Sequence, residues 1–94
     1  MNDPSARTRY EIDREVRVVE ADSGAIVLHL RRGTYCRLNP LAMKIWRSIE
    51  QGLSIPDVLA QLENSFSNVG TERLSEDLSR FLAQLTKKGL VHAR

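Results

Sequence analysis

Three side chains in this 94-residue sequence could take part in nucleophilic catalysis. Cys36 carries the sole thiol, and His29 and His92 are the two histidines that could act as its general base. Such a pair must lie within hydrogen-bonding distance. The alternating pattern of the predicted strands puts His29 on the face opposite to Cys36, and His92 lies near the C-terminus. The sequence therefore predicts that Cys36 is a small buried side chain and that the protein is not an enzyme.

The remaining residue types predict no bound metal or cofactor. One cysteine and two histidines, none at ligand spacing, do not make a zinc site, and the scattered glycines form no phosphate-binding loop. Seven basic and six acidic residues occur in residues 1–38, and the same numbers occur in residues 39–94. This evenness argues against a nucleic-acid-binding surface. Without an apolar run of about 18 residues or a signal peptide, we expect a cytoplasmic protein that does not bind a membrane.

Three short strands must position these side chains, and the pattern predicts them at residues 16–21, 25–30 and 34–38. A three-residue loop at residues 31–33 would join the second and third strands. That loop fixes a register with three opposing pairs: Leu30 with Thr34, Leu28 with Cys36, and Ile26 with Leu38. The apolar faces then coincide. Cys36 is expected to face the core, while His29 and Tyr35 share the opposite face.

The rest of the sequence predicts three helices. Asn39 is a good N-cap with Pro40 at the first helical position, Ser54 caps the second helix, and Thr71 begins the third. Residues 1–9 are expected to form a loose tail and residues 10–94 a single domain. Three strands followed by three helices indicate an α+β fold of the winged helix-turn-helix type.

The other distinctive residues of the sequence are predicted to lie on the surface and not in an active site. The third strand runs directly into a helix, which is typical of a strand at the edge of a sheet. On the third helix, Phe81 lies beside a charged flank that includes Asp77 and Arg80. A solvated helix face with pairs such as Asp77 and Arg80 is one interpretation of this flank. Tyr35 and Arg37 on the third strand could likewise pack only against neighbouring strand residues.

Two motifs carry a resemblance to a known family. The first is Gly-x-Tyr-x-x-Leu-Asn at residues 33–39, and the second is Asp-x-x-x-Phe-Leu-x-x-Leu-x-x-x-Gly-Leu at residues 77–90. Together with Ile45 and Trp46, they make the sequence similar to the PqqD-like recognition elements of ribosomally made, modified peptides. The resemblance covers about residues 14–91 and is strongest to the stand-alone versions that serve lasso-peptide biosynthesis.

The resemblance implies a non-catalytic protein that binds the leader of a precursor peptide. The leader adds as an antiparallel strand to the third strand, in a groove against the third helix. The positions that match the receiving strand are Arg32, Thr34, Tyr35, Cys36, Arg37 and Leu38. Those that match the opposing wall are Asp77, Leu78, Phe81, Gln84, Leu85 and Lys88. Of the basic residues, Arg37, Arg80 and Lys88 could pair with leader carboxylates.

The partners implied are a leader peptidase and a macrolactam synthetase of a lasso-peptide pathway. One alternative is a PqqD-type chaperone for a radical-SAM enzyme in cofactor biosynthesis. Another is a winged-helix DNA-binding protein, which would use Arg31 and Arg32 on phosphates. The second helix argues against this alternative because it carries Asp57 and Glu63 but no basic residue.

Overall fold

Five strands and three helices are present in the computed structural model, which describes residues 9–66 and 68–93. In chain order the elements are β1 (Tyr10–Ile12), β2 (Val16–Ala21), β3 (Gly24–His29), β4 (Tyr35–Leu38), α1 (Pro40–Glu50), α2 (Ile55–Ser65), α3 (Thr71–Lys87) and β5 (Val91–Ala93). Strands β2, β3 and β4 form an antiparallel sheet in that order, and β1 pairs with β5 in a second, two-stranded sheet. The expected α+β architecture, with three helices following a three-stranded sheet, is confirmed.

The N-terminal tail expected at residues 1–9 lies outside the described residues, apart from Arg9. Arg9 forms an antiparallel bridge with Ser54, and its guanidinium donates to the carbonyl of Gly52. The two-stranded sheet was not predicted, because three-residue strands are too short to show a period in the sequence. None of the described helices has the length and apolar character needed to cross a membrane.

The register between β3 and β4 differs by one residue from the predicted register. The N–H of His29 donates to the carbonyl of Thr34 at 2.8 Å, so four residues, 30–33, form the loop instead of three. Val27 therefore lies opposite Cys36, and Tyr35 lies opposite Leu28. Cys36 faces the core and Tyr35 faces outward as expected. His29 was assigned to the wrong face: it is 5% exposed and shares the core face with Cys36.

Hydrogen bonding explains why a histidine is buried at this position. The Nδ1 atom of His29 accepts from the N–H groups of Arg31 and Arg32, at 3.2 and 3.0 Å. Because Nδ1 is an acceptor, Nε2 carries the proton and donates to Asp13 Oδ1, 3.1 Å away. Both ring nitrogens are thus satisfied. Leu28, which is half-buried, lies on the outer face, where His29 was expected.

Asp13 connects the two sheets through a second histidine. Its Oδ2 lies 2.7 Å from Nε2 of His92 on β5, and its N–H donates to the carbonyl of Leu90 at 3.0 Å. The hydrogen bond from His92, followed by one from the N–H of Glu15, lowers the pKa of Asp13 to about 2. The Asp13 carboxylate therefore links His92 on β5 to His29, which precedes the β3–β4 loop.

The helices cover one face of the three-stranded sheet and supply most of the core. Asn39 caps α1 as predicted, since its Oδ1 accepts from the N–H of Ala42 at 2.8 Å. Ser54 occupies the N-cap position of α2, but its side chain makes no capping hydrogen bond. The largest fully buried side chains are Trp46, Ile45, Leu62, Leu74, Leu85, Leu90, Val27, Val58 and Val91.

Gly24 lets the start of β3 approach the end of β4. Its φ is +153°, and a Cβ at this position would lie 2.1 Å from the carbonyl oxygen of Leu38. Both features exclude a side chain unless the backbone shifts. We expect Gly24→Ala to lower the free energy of unfolding by about 2–4 kcal/mol. Gly70→Ala is the matched control, because nothing lies within 4 Å and its φ is not positive.

Denaturant unfolding of the two alanine variants tests this account of Gly24. Gly70→Ala should stay within about 0.5 kcal/mol of the wild type, since a weaker N-cap is offset by lower entropy of the unfolded chain. Equal, small changes in the two variants would contradict a close approach at Gly24.

Asp13→Asn should reveal a pH-dependent contribution to stability. The pKa of Asp13 falls from 3.8 to about 2 on folding, so its carboxylate stabilises the folded state above pH 3.8. That stabilisation is lost as the pH falls through about 2. The thermal midpoint of Asp13→Asn should therefore lie below that of the wild type at pH 6, and the gap should close towards pH 2. Asp22→Asn, in the exposed β2–β3 turn, is the control, and a gap independent of pH would argue against the interaction.

Candidate functional site

Strand β4 has a neighbouring strand on one side only among the described residues. In an antiparallel pair, the backbone groups of successive residues point alternately towards and away from the partner strand. The bond from His29 N–H to Thr34 C=O shows that Thr34 points towards β3. Cys36 and Leu38 must then do so as well. The N–H and C=O groups of Tyr35 and Arg37 therefore point outward, along the open edge of β4.

The C-terminal end of α3 is joined to the beginning of this edge by three contacts. Thr34 Oγ1 donates to the carbonyl of Lys88 at 2.8 Å, and Lys88 Nζ donates to the carbonyl of Tyr35 at 2.7 Å. Arg32 packs against Gly89, where a Cβ would come within 2.5 Å of the guanidinium. Sequence reasoning paired β4 with α3 only through resemblance. The structure shows the side chains that hold them together at this end.

The predicted site residues divide into exposed and supporting groups. On the strand side, Arg32, Tyr35 and Arg37 are exposed and Thr34 is half-buried, whereas Cys36 and Leu38 are buried. On the helix side, Gln84 is exposed and Asp77, Phe81 and Lys88 are half-buried, whereas Leu78 and Leu85 are buried. The buried members of each set can support a groove, and the exposed and half-buried members are the ones a ligand can touch.

Positive charge predominates on the exposed parts of these two elements. Arg37 lies on β4 and Lys88 at the end of α3. The carboxylate of Asp77 lies 3.6 Å from Arg80 and 4.0 Å from Arg73, so the i,i+3 and i,i+4 pairs considered from the sequence do form. Pairs with exposed arginines contribute little to stability, so they do not by themselves explain why this flank is charged.

Cys36 and His29 lie on the same face of the sheet, contrary to the prediction. Burial raises the pKa of the Cys36 thiol, although the nearby charge of Lys88 opposes the rise. A nucleophilic cysteine needs the opposite change. The Sγ atom lies 3.5 Å from the carbonyl of Arg37, and both nitrogens of His29 are engaged elsewhere. Burial of the Cys36 thiol and the hydrogen bonds of His29, and not opposite faces, make this pair unsuited to nucleophilic catalysis.

Sequence reasoning missed the apolar character of the outer sheet face. Leu30 and Tyr35 are 54% and 59% exposed, and with half-buried Ile26 and Leu28 they line a shallow depression of about 440 Å³. A second depression, of about 430 Å³, lies near Arg37 at the other end of β4. The one-residue register error concealed this surface, because it assigned Ile26 and Leu28 to the core.

Comparison with known proteins gives a consistent result. The model of the family described as Coenzyme PQQ synthesis protein D (PqqD) matches residues 24–91. The structure of TbiB1 in complex with the TbiA(beta) leader peptide superposes with a TM-score of 0.79 and 28% sequence identity, covering 87% of this chain and 94% of that one. A search of curated protein sequences gives no significant match.

A second solved structure supports the same assignment. Lasso peptide synthetase B1 complexed with the leader peptide has a TM-score of 0.77 and 26% identity, over 89% of this chain and 98% of that one. The family match runs from the start of β3 into β5 and so includes both β4 and α3. The match spans more than half of the sequence, and the chain belongs to the PqqD family.

Proposed function

We propose that this protein captures the leader segment of a ribosomally made precursor peptide. The leader would add as an antiparallel strand to β4 and lie against α3. The observation that carries the proposal is the open edge at Tyr35 and Arg37, whose outward N–H and C=O groups can bond a fourth strand. Two solved structures with the same fold are complexes with leader peptides, which supports this choice of ligand.

The proposed mechanism is tethering, with no chemistry by the protein itself. Holding the leader raises the effective concentration of the attached core peptide at a partner's active site. We infer that the partners are the leader peptidase and the macrolactam synthetase of a lasso-peptide pathway, acting in the cytoplasm. The similarity to a chain named lasso peptide synthetase B1 supports that pathway.

The groove favours an extended leader with apolar and acidic side chains. Phe81 is half-buried and packs against the core, so its outer part can support an apolar side chain. Arg37 on β4 and Lys88 at the end of α3 supply positive charge. In peptide recognition of this kind, the backbone ladder gives affinity and a few anchored side chains give specificity.

Two alternatives are retained because observations support them in part. The name of the family model favours a role in coenzyme synthesis. A radical-SAM enzyme as partner is implied only by the family resemblance. The arrangement of sheet and helices also fits the winged helix-turn-helix class, which includes DNA-binding proteins. However, α2 carries Asp57 and Glu63 without a basic residue. Steeply salt-dependent binding to duplex DNA would favour that alternative over peptide binding.

Arg37→Glu should weaken leader binding without affecting the fold. Arg37 is exposed, so the free energy of unfolding should change by less than about 0.5 kcal/mol. Calorimetric titration with the TbiA(beta) leader peptide should show an affinity about five- to tenfold lower, because an attractive charge becomes repulsive. Lys44→Glu, an equal change of charge at an exposed position on α1, should bind like the wild type. If both variants lose affinity equally, net charge and not the groove determines binding.

Phe81→Ala should reduce both affinity and stability. Its half-buried ring packs against the core, so its removal should lower the free energy of unfolding by about 1–2 kcal/mol. The same titration should show at least tenfold weaker binding, as expected for an aromatic anchor. Circular dichroism at the titration temperature must first establish that the variant is folded. Unchanged affinity in a folded variant would remove α3 from the proposed groove.

A further inference from the structure

A lysine side chain already occupies part of the open edge of β4. Lys88 Nζ donates to the carbonyl of Tyr35 at 2.7 Å and lies 5.8 Å from the centre of the Tyr35 ring. The backbone of Lys88 is itself fixed. Its N–H donates to the carbonyl of Gln84 at 3.0 Å, and its carbonyl accepts from Thr34 Oγ1 at 2.8 Å. The backbone bonds of Lys88 and the bond of its ammonium group to Tyr35 therefore both keep this side chain at the edge.

A strand added to β4 must take the place of this ammonium group. The residue that pairs with Tyr35 donates its own N–H to the Tyr35 carbonyl. Its backbone lies about 4.8 Å from that of β4. An ammonium group 2.7 Å from the outward-pointing oxygen lies within that spacing. Lys88 and the leader therefore compete for the same acceptor.

The cation at the opposite edge of the sheet differs from Lys88 in where it comes from. On β2, the guanidinium of Arg17 bonds the carbonyls of Val16 and Arg14, at 2.9 and 3.3 Å. Cations on edge strands are a common defence against aggregation. That cation comes from the strand's own chain neighbourhood. Lys88 comes from the end of α3, so its contact with β4 lies in the groove that the leader would fill.

Strand geometry determines which leader side chain meets the displaced ammonium group. The leader residue that pairs with Tyr35 projects its side chain to the outer sheet face, as Tyr35 does. The two residues beside it project to the other face, where α3 and Lys88 lie. The Lys88 ammonium makes an exposed hydrogen bond, so once displaced it can bond either water or a leader group, and a carboxylate gives the stronger, charge-assisted hydrogen bond.

We propose that Lys88 determines leader specificity by yielding the Tyr35 carbonyl to strands that carry an Asp or Glu beside the residue paired with Tyr35. This inference rests on the proposed function and adds the position and chemistry of one leader residue. Without such a carboxylate, the displaced ammonium group gains only water, and the exchange is less favourable.

The first test needs no peptide. The carbonyl carbon-13 resonance of Tyr35 should shift in Lys88→Met relative to the wild type, because the oxygen loses a charged donor. Lys87→Met is the matched control: it removes an exposed lysine one position earlier on α3 and should leave that resonance unchanged. An unshifted Tyr35 resonance in Lys88→Met would overturn the inference.

The second test measures the preference for an acidic residue. Protection of the Arg37 N–H from exchange first identifies the segment of the TbiA(beta) leader peptide that binds. Variants of the peptide would then carry Glu or Gln at each successive position of that segment. At one position beside the residue paired with Tyr35, wild-type protein and Lys87→Met should bind the Glu peptide about three- to tenfold more tightly than the Gln peptide. This ratio should fall to about one in Lys88→Met and invert in Lys88→Glu.

The outcomes separate this inference from the proposed function. A Glu preference that persists in Lys88→Met, or binding without any such preference in the wild type, overturns the role of Lys88 and leaves leader capture intact. Failure of the wild type to bind any of the leader peptides refutes leader capture, and the proposed selectivity of Lys88 with it.

Discussion

The backbone groups of Tyr35 and Arg37 point away from the sheet because antiparallel pairing consumes the groups of alternate residues only. Four hydrogen-bonding groups are thereby presented in a row along β4, and one of them, the Tyr35 carbonyl, already accepts from Lys88. Each backbone hydrogen bond contributes about 0.5–1.5 kcal/mol net, so the other three groups supply about 1.5–4.5 kcal/mol, and the Tyr35 carbonyl adds little because it exchanges one donor for another. Micromolar affinity requires about 8 kcal/mol. A strand ladder on this edge is therefore too weak by itself, and side-chain anchors opposite it are required.

The fold holds β4 in place at both of its ends. Gly24 lets β3 close onto the carbonyl of Leu38, and Asn39 starts α1 immediately after β4. At the other end of β4, Thr34 joins the strand to the end of α3 through the carbonyl of Lys88. A strand fixed at both ends loses little entropy when a ligand binds, which favours affinity. The short length of β4 also limits its tendency to aggregate.

The elements that depend on local chemistry could be predicted from the sequence. The strand at residues 16–21, the Asn39 cap and the start of α3 at Thr71 agree with the structure because caps and turn residues act within a few positions. The register of β3 and β4 could not be predicted correctly. Both faces of β3 are largely apolar, so the pattern does not distinguish them. His29 decides the matter through bonds to the loop and to distant Asp13, which no periodicity reveals.

The candidate site shows the same division. Its residues follow from the resemblance at residues 33–39 and 77–90, both of which lie within the family match, and their role in binding stays a prediction. What the sequence does not contain is the relation between the two segments. The contacts of Lys88 with Thr34 and Tyr35 join residues more than 50 positions apart. Such contacts follow from tertiary packing, and so does the division of the predicted residues into exposed and buried positions.

Amide hydrogen exchange, measured residue by residue along β4, tests the central claim most directly. In the free protein, Cys36 and Leu38 should exchange slowly because they bond β3, whereas Tyr35 and Arg37 should exchange rapidly. On addition of the TbiA(beta) leader peptide, protection should rise at Tyr35 and Arg37 and change little at the other two. Saturable binding that leaves Tyr35 and Arg37 unprotected would contradict strand addition at this edge.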